Sequence, residues 1–320
     1  MSHPDVSIIM ATWKAAAYVE RSIASALAST DVTVEVVAVD DASPDGTFDK
    51  LKDLAKQDSR IIVDQLTTNS GPSIARNRAI ELCSGRFIAV LDADDSILPD
   101  RLSSMIALAD ETNLDIVFDN MKEVDEQGTP LGSETFLKSP IFANALEIDL
   151  KTWVKFNTPL GGTDCLGYLK PVIRKAKLDE TGLRYDPVLR NSEDYYLIAH
   201  LLAEGARASY TPVASYLYTR SASSTSHRFK PANTRALIDG EERFQAKYRH
   251  FASPNENREL EQRKQGLRNL HKLVQTIDAI QQKKIGHLPG LMASDIRSTA
   301  FAVNALAKIA LGKVIKRKLV

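Results

Sequence analysis

Phe87-Ile-Ala-Val-Leu91 runs straight into Asp92-Ala93-Asp94-Asp95, and this stretch decides the fold. The apolar run is a buried strand, and it delivers carboxylates, one residue apart, to a sheet edge. The same strand signal recurs upstream. Val6-Ser-Ile-Ile-Met-Ala11 is followed by a helical face of Tyr18, Val19, Ile23, Ala26 and Leu27. Val34-Glu-Val-Val-Ala-Val39 leads through the turn Asp41-Ala-Ser-Pro-Asp-Gly46 to a helix carrying Phe48, Leu51, Leu54 and Ala55. Ile61-Ile-Val63 precedes Ser70-Gly-Pro72, where a proline in the first turn opens a helix. Downstream, Pro99 opens another helix through Leu102, Ile106 and Leu108. Repeated βα units with nearly continuous apolar strands predict an α/β fold, a mostly parallel central sheet flanked by helices. Such sheets bind ligands at the carboxyl ends of their strands, where Asp40, Asp41, Asp92, Asp94 and Asp95 fall.

The pattern loosens after Asp115. Ile116-Val-Phe118 and Met121 to Val124 read as shorter strands, with a turn near Gln127-Gly128. Pro159 to Thr163 reads as a loop, Asn191 to Glu204 as a helix, and Tyr216 to Thr219 as a final strand. Ser221 to Ser226 is rich in Ser and Thr. From Pro231 the strand signals stop and helical patterns take over through Leu260, Leu267, Leu270, Leu273 and Ile277, broken at Gly286 to Gly290. The expected organisation is a sheet domain over 1–230 and a helical C-terminal extension over 231–320.

Composition narrows the classes. The chain has 320 residues, 43% hydrophobic and 26% charged, as in ordinary globular proteins. The formal net charge is zero, so no overall field draws in nucleic acid. The two cysteines, Cys83 and Cys165, form no CxxC pair, which argues against a zinc site and fits a reducing cytoplasm. Met1 to Val6 shows no basic stretch followed by an apolar run, so no signal peptide is expected. No run approaches the roughly 18 apolar residues of a bilayer span, so any membrane contact is expected to be peripheral.

Four segments carry chemistry. Asp92-x-Asp94 offers hard oxygen ligands that suit Mg²⁺ or Mn²⁺ with substrate phosphates completing the shell, and equally fits a solvated turn that caps the next helix. In Val39-Asp40-Asp41-Ala42-Ser43, a carboxylate after a strand can accept from a base N–H or a ribose hydroxyl, or serve turn and cap chemistry. In Asn69-Ser-Gly71-Pro72-Ser-Ile-Ala75-Arg76-Asn77, a helix N-terminus suits an anion and Arg76 could reach a base or phosphate; the alternative is an Arg snorkelling from an amphipathic helix. In Asn191-Ser192-Glu193-Asp194, Asn191 or Ser192 would cap a helix whose dipole keeps a first-turn carboxylate ionised; the alternative is favourable terminal charge alone.

These segments, in this order with the Val-Ser-Ile-Ile-Met-Ala-Thr12 start, resemble glycosyltransferase family 2, of the GT-A type, over about residues 5 to 228. The subgroup they resemble is bacterial exopolysaccharide biosynthesis of the succinoglycan kind. The resemblance implies a Rossmann-like GT-A domain with a nucleotide-sugar half over about 1–120 and an acceptor half over about 121–230. It implies that Thr12 and one of Asp40 and Asp41 hold the base of a UDP-sugar, with Arg76 on the same side. Asp92 would contact ribose or sugar, Asp94 would bind Mn²⁺ or Mg²⁺ directly, and Asp95 would lie beside the nucleotide sugar. Asp194 would deprotonate the acceptor hydroxyl, and Glu193 would support the helix start or the acceptor. Arg220 to His227 matches a loop over the diphosphate that includes Arg220 and Ser226, with His227 as a further metal ligand or a phosphate partner. One base opposite the leaving group implies inversion. Ala42 stands where the family often has Gly, which is tolerated if φ there stays negative. The absence of a Gln-x-x-Arg-Trp motif points to single-sugar transfer rather than polymerisation.

Arg297, Lys308, Lys313, Lys316, Arg317 and Lys318 interleave with apolar residues, and no acidic residue follows Asp295. Such a helix can lie on an anionic membrane surface, at the inner face of the cell membrane beside a lipid-diphosphate-linked acceptor, or serve packing or homo-oligomer contact. Rival readings are a nucleotidyltransferase or dehydrogenase, which lack their Gly-rich loop here, and a non-catalytic nucleotide-sugar-binding or scaffold protein on the same fold.

Overall fold

The computed structural model describes residues 3–162, 164–220, 229–284, 286 and 288–310. Along the chain run β1 (Val6–Thr12), α1 (Val19–Leu27), β2 (Val34–Asp40), α2 (Thr47–Gln57), β3 (Ile61–Gln65), α3 (Pro72–Leu82), β4 (Phe87–Val90), β5 (Ser96–Ile97) and α4 (Arg101–Glu111). Then come β6 (Ile116–Val124), β7 (Pro130–Thr135), β8 (Leu146–Glu147), α5 (Leu150–Lys155), β9 (Val172–Arg174), α6 (Lys175–Thr181), α7 (Glu193–Ala203) and β10 (Ala208–Thr219). Four helices follow, α8 (Pro231–Tyr248), α9 (Pro254–Gln281), α10 (Leu288–Ala293) and α11 (Ile296–Ala310). The chain forms two compact units. One consists of the described residues of Met1–Asp149 and Tyr168–Ala222, the other of those of Leu150–Gly167 and Ser223–Val320.

The first unit is built on one sheet in the order β3-β2-β1-β4-β9-β6-β10-β5, with β7 on β6 and β8 on β10. The block β3-β2-β1-β4 is parallel, as its apolar strands predict. β6 and β10 are also parallel, and the short antiparallel β9 joins the two blocks. All seven residues of β2 and all four of β4 are buried. Each such Val or Ile contributes roughly 1.5–3 kcal/mol of burial, which fixes the strands whose ends carry the carboxylates. Thr12 and Asp40 are register partners at the carboxyl ends of β1 and β2.

Gly85 leads into β4 at a point of close backbone approach. A Cβ there would lie 2.6 Å from the backbone nitrogen of Ser7 and 2.7 Å from its Oγ. The Gly85 N–H donates to Ser7 Oγ (2.8 Å), and that hydroxyl donates to Glu35 (2.5 Å). Gly85→Ala must therefore push two central strands apart, at a cost of about 1–3 kcal/mol or more. Thermal or urea unfolding checks this; an unchanged midpoint would show that the loop moves freely.

The second unit is helical. Cutting the chain at 230 leaves Leu150–Gly167 in the acceptor half, yet this segment clusters with the C-terminal helices. Its α5 packs on α9 with Trp153 and Val154 fully buried. Ser253 caps α9 by a reciprocal capping box with Glu256. Among the described residues no helix is long and apolar enough to cross a membrane. The basic tail Lys313 to Lys318 lies outside the described residues, as do Ser226 and His227.

Candidate active site

The site forms where β1, β2 and β4 end. Thr12 Oγ1 donates to Asp40 Oδ1 (3.2 Å), and Asp40 Oδ2 accepts from the Ser43 N–H (2.9 Å) and Gln65 Nε2 (3.0 Å). Asp41 accepts from the N–H groups of Ser70 (2.6 Å) and Gly71 (2.8 Å) and from Asn69 Nδ2 (2.8 Å). Asp41 thus clamps the entry to α3, where Gly71 takes φ +95°. Ala42 sits at φ 57°, the left-handed region, so the negative φ that would make Ala equivalent to Gly does not hold. The bonds that Asp40 and Asp41 make on either side hold the turn in that conformation.

α3 organises the other wall. Ser73 Oγ donates to the Leu189 carbonyl (2.8 Å), and Asn77 exchanges two hydrogen bonds with the Tyr185 backbone (2.8 and 2.9 Å). Between them, Arg76 turns inward under the Tyr185 ring, 5.4 Å from its centre. Its guanidinium pairs with Asp92 (2.8 Å), Glu193 (2.6 Å) and Asp194 (3.2 Å). Its side chain is only 6% exposed, so it does not snorkel. It also does not lie open beside a nucleotide base: the geometry makes it the tie between the Asp92 turn and the first turn of α7.

A second cation completes the cluster. Lys170 Nζ lies 2.9 Å from Asp92 Oδ2 and 3.3 Å from Asp194 Oδ2, and its side chain is 8% exposed. Three carboxylates therefore share two buried cations. Burial pushes the Asp92 carboxyl up, but Lys170 and Arg76 outweigh it and hold the group well below the usual range. Burial alone would pull Lys170 down; Asp92 and Asp194 reverse that and keep it charged. Glu193 is pushed up by burial and by the Asp194 charge. Ser192 precedes the pair at φ 57° and makes no side-chain cap bond, so of the two expected caps Ser192 does not serve, and Arg76 ties the first turn of α7 through Glu193 and Asp194.

The two remaining carboxylates of the motif differ. Asp95, expected beside the nucleotide sugar, is instead fully buried. It accepts from Tyr216 Oη (2.7 Å) and the Thr219 N–H (2.7 Å), pinning β10 under the turn. Asp94 is half-buried, and among the described residues no other residue donates to its carboxylate. Burial, and then the Asp92 charge, push it up to about 6. Its backbone carbonyl is held by Arg21 (2.7 Å). A carboxylate with uncompensated charge beside a second one is what a hard cation binds. Among the described residues no group of three or more His, Cys, Asp or Glu could hold a metal. The donor set therefore fits Mg²⁺ or Mn²⁺ held through one or two carboxylates with substrate phosphates, not an all-protein cage. Arg220 pairs with Glu123 and stacks over Tyr218, 5.0 Å from the ring centre.

The structure thus brings Arg76, Asp92, Glu193 and Asp194 together, with Asp94 in the same turn as Asp92. Thr12, Asp40 and Asp41 form their own group at the ends of β1 and β2. Lys170, Tyr185 and Arg21 are absent from the sequence-derived set. Lys170 carried one signal: a lysine set between Leu169 and the apolar run after Pro171 is an unusual place for a solvated charge.

Comparison with known proteins bears on the family and the fold. A family model described as glycosyl transferase family 2 matches residues 7–176. The succinoglycan biosynthesis protein ExoO of Rhizobium meliloti is 37% identical over 245 residues, 77% of this chain and 69% of that protein. The Escherichia coli UDP-Glc:alpha-D-GlcNAc-diphosphoundecaprenol beta-1,3-glucosyltransferase WfaP is 28% identical over 228 residues, 70% of this chain and 81% of that protein. The fold matches S. aureus TarS 1-349 in complex with UDP-GlcNAc, with a TM-score of 0.61 at 20% identity, covering 97% of this chain and 92% of that one.

Proposed function

Because the chain belongs to glycosyl transferase family 2 and is a glycosyltransferase, we propose that it moves one hexose, glucose or a close relative, from a UDP-sugar to a lipid-diphosphate-linked saccharide with inversion. The similarity to a succinoglycan biosynthesis protein and to a transferase acting on a diphosphoundecaprenol-linked sugar supports a setting in polysaccharide assembly, which we place at the inner face of the membrane. The observation that carries the reading is the shared ion-pair cluster. Asp194, at the start of α7, and Asp92, at the end of β4, are held by the same two cations, so a candidate base adjoins a candidate donor site.

Asp194 accepts the proton of the acceptor hydroxyl as that oxygen attacks the anomeric carbon. The bond from that carbon to the diphosphate breaks, and UDP carries away the electron pair. Arg76 ties the base to the Asp92 turn. Thr12 with Asp40 or Asp41 lines the base end of the donor. Asp94, with Asp92 at its edge, would hold a Mg²⁺ or Mn²⁺ ion, which when bound supplies positive charge beside the diphosphate leaving group.

The test is UDP release from a panel of UDP-, GDP- and TDP-sugars with a membrane-lipid extract as acceptor. One UDP-sugar turns over with Mn²⁺ or Mg²⁺, and EDTA or Asp94→Asn lowers the rate by about 10²–10³-fold, the scale of losing one preorganised charge partner of the leaving group. Undiminished turnover in EDTA would remove the cation from the account. Tight UDP binding without turnover on any acceptor would favour a nucleotide-sugar-binding scaffold.

A further inference from the structure

One buried lysine, Lys170, takes no part in the transfer step itself. Lys170 contributes no atom to a strand or helix; it stands one residue before Pro171, at the entrance to β9. Its backbone carbonyl accepts from Arg101 Nη2 (2.5 Å). Arg101 is 1% exposed and forms a two-pronged pair with Asp119 (2.9 and 2.7 Å), to which Ser215 Oγ also donates (2.7 Å). The Pro171 carbonyl accepts from the Val90 N–H (3.3 Å), two residues before Asp92. The main chain at 170 and 171 is therefore anchored on both sides by buried groups, and its ammonium is aimed at a fixed point between Asp92 and Asp194.

That is an expensive arrangement for a lysine whose function is only neutralisation. Lysine loses its large hydration and its rotamer freedom when buried, and a solvated site would neutralise the carboxylates at lower cost. The arrangement does set geometry: one ammonium touches a carboxylate from β4 and a carboxylate from α7, which belong to the two sides of the reaction. Arg76 makes the same bridge from the opposite side. Two cations gripping the same two carboxylates leave neither free to rotate.

We propose that Lys170 is a positioning residue for the transfer reaction, holding the Asp194 carboxylate in register with the Asp92 turn, with the buried Arg101–Asp119 pair as its backbone anchor. This rests on the reading of Asp194 as the acceptor base. It predicts a separation between charge balance and geometry. Lys170→Met leaves Asp92, Glu193 and Asp194 facing Arg76 alone, so both stability and rate fall. Adding Glu193→Gln removes one negative charge and restores the wild-type balance, while Gln can still accept from Arg76.

The experiment compares wild type, Lys170→Met and Lys170→Met/Glu193→Gln, with Glu193→Gln alone as reference. Three readings are taken: thermal midpoint, UDP affinity by calorimetry with Mn²⁺, and steady-state rates with the UDP-sugar that turns over. The expected result is a lowered midpoint in Lys170→Met that recovers in the double variant. The rate of the double variant stays about 10²-fold below that of Glu193→Gln, in kcat rather than in donor KM, because an ångström of misplacement costs that much. UDP affinity changes by less than about threefold, since 1.4 kcal/mol corresponds to tenfold and no nucleotide contact is removed. A double variant that regains the rate of Glu193→Gln would reduce Lys170 to charge balance and overturn the proposal. So would an unchanged midpoint in Lys170→Met, a result that needs no turnover to be read. Failure of the base reading is distinct: it appears as full activity in Asp194→Asn.

Discussion

Asp194→Asn is expected to lower the transfer rate by about 10²–10⁴-fold while leaving the fold as stable as wild type or slightly more so. The two halves of that expectation have one cause. Among the described residues Asp92, Glu193 and Asp194 share only Arg76 and Lys170, so the cluster carries excess negative charge. Asn keeps the shape, its one carbonyl oxygen can still accept from Arg76 or Lys170 while its NH2 faces the other cation, and it relieves that excess. What it cannot do is take a proton from a hydroxyl at neutral pH. A site that holds like charges together under strain trades stability for function, and removing the charge reverses the trade. Initial rates and a thermal melt on the same preparation decide it. A rate loss accompanied by a large drop in the midpoint would make Asp194 a structural partner of Arg76 and not a base.

Arg76→Leu has the opposite signature. It removes a guanidinium bonded to all three carboxylates in a site where its own side chain is 6% exposed. Breaking a buried ion pair from one side strands the remaining charges, at about 3–5 kcal/mol. For a chain of this size that is a fall in midpoint on the order of 10 °C. The damage is local in origin but wide in effect, because α3, the segment from Tyr185 to Leu189 and the start of α7 are joined through Ser73, Arg76 and Asn77. Arg76→Lys retains the charge without the planar fork and is expected to fall between wild type and Arg76→Leu. A midpoint for Arg76→Leu within about 2 °C of wild type would mean that the cluster is not what holds these elements together.

The parallel block β3-β2-β1-β4 was legible because burial on both faces makes each of its inner strands a nearly unbroken apolar run. Elsewhere, function and topology broke the pattern. Residues 116–124 read as two short strands but form one, β6, because Asp119 and Asn120 interrupt its apolar run. Both are buried, Asp119 on Arg101 and Ser215, and Asn120 on Tyr210 and the Leu137 carbonyl. Only the end of β10 was visible, because Pro212 cannot donate to a ladder and sits where the register shifts. β9 has three residues and gives no periodicity at all. Each of these is a place where a tertiary partner, invisible in a linear pattern, settles the local structure.

The site was legible to the extent that its residues lie at strand ends. Asp92, Asp94, Glu193 and Asp194 fall where a parallel sheet collects ligands or where a helix begins. Spacing could not say which of three adjacent acids turns inward; Asp95 does so because Tyr216 and Thr219 of β10 wait for it. Nor could it find Lys170, whose partners lie 78 and 24 positions away by number, or show that Arg76 spends its whole guanidinium on carboxylates.

The measurement that bears most directly on the central claim is the anomeric configuration of the product. A single carboxylate base opposite the departing UDP requires attack from the far face of the sugar. With an α-linked UDP-hexose as donor, the proton coupling of the new linkage should report a β-glycoside. An α-linked product would mean that the anomeric carbon is displaced twice or attacked from the leaving-group side, and Asp194 could not then be the base this cluster was built to hold.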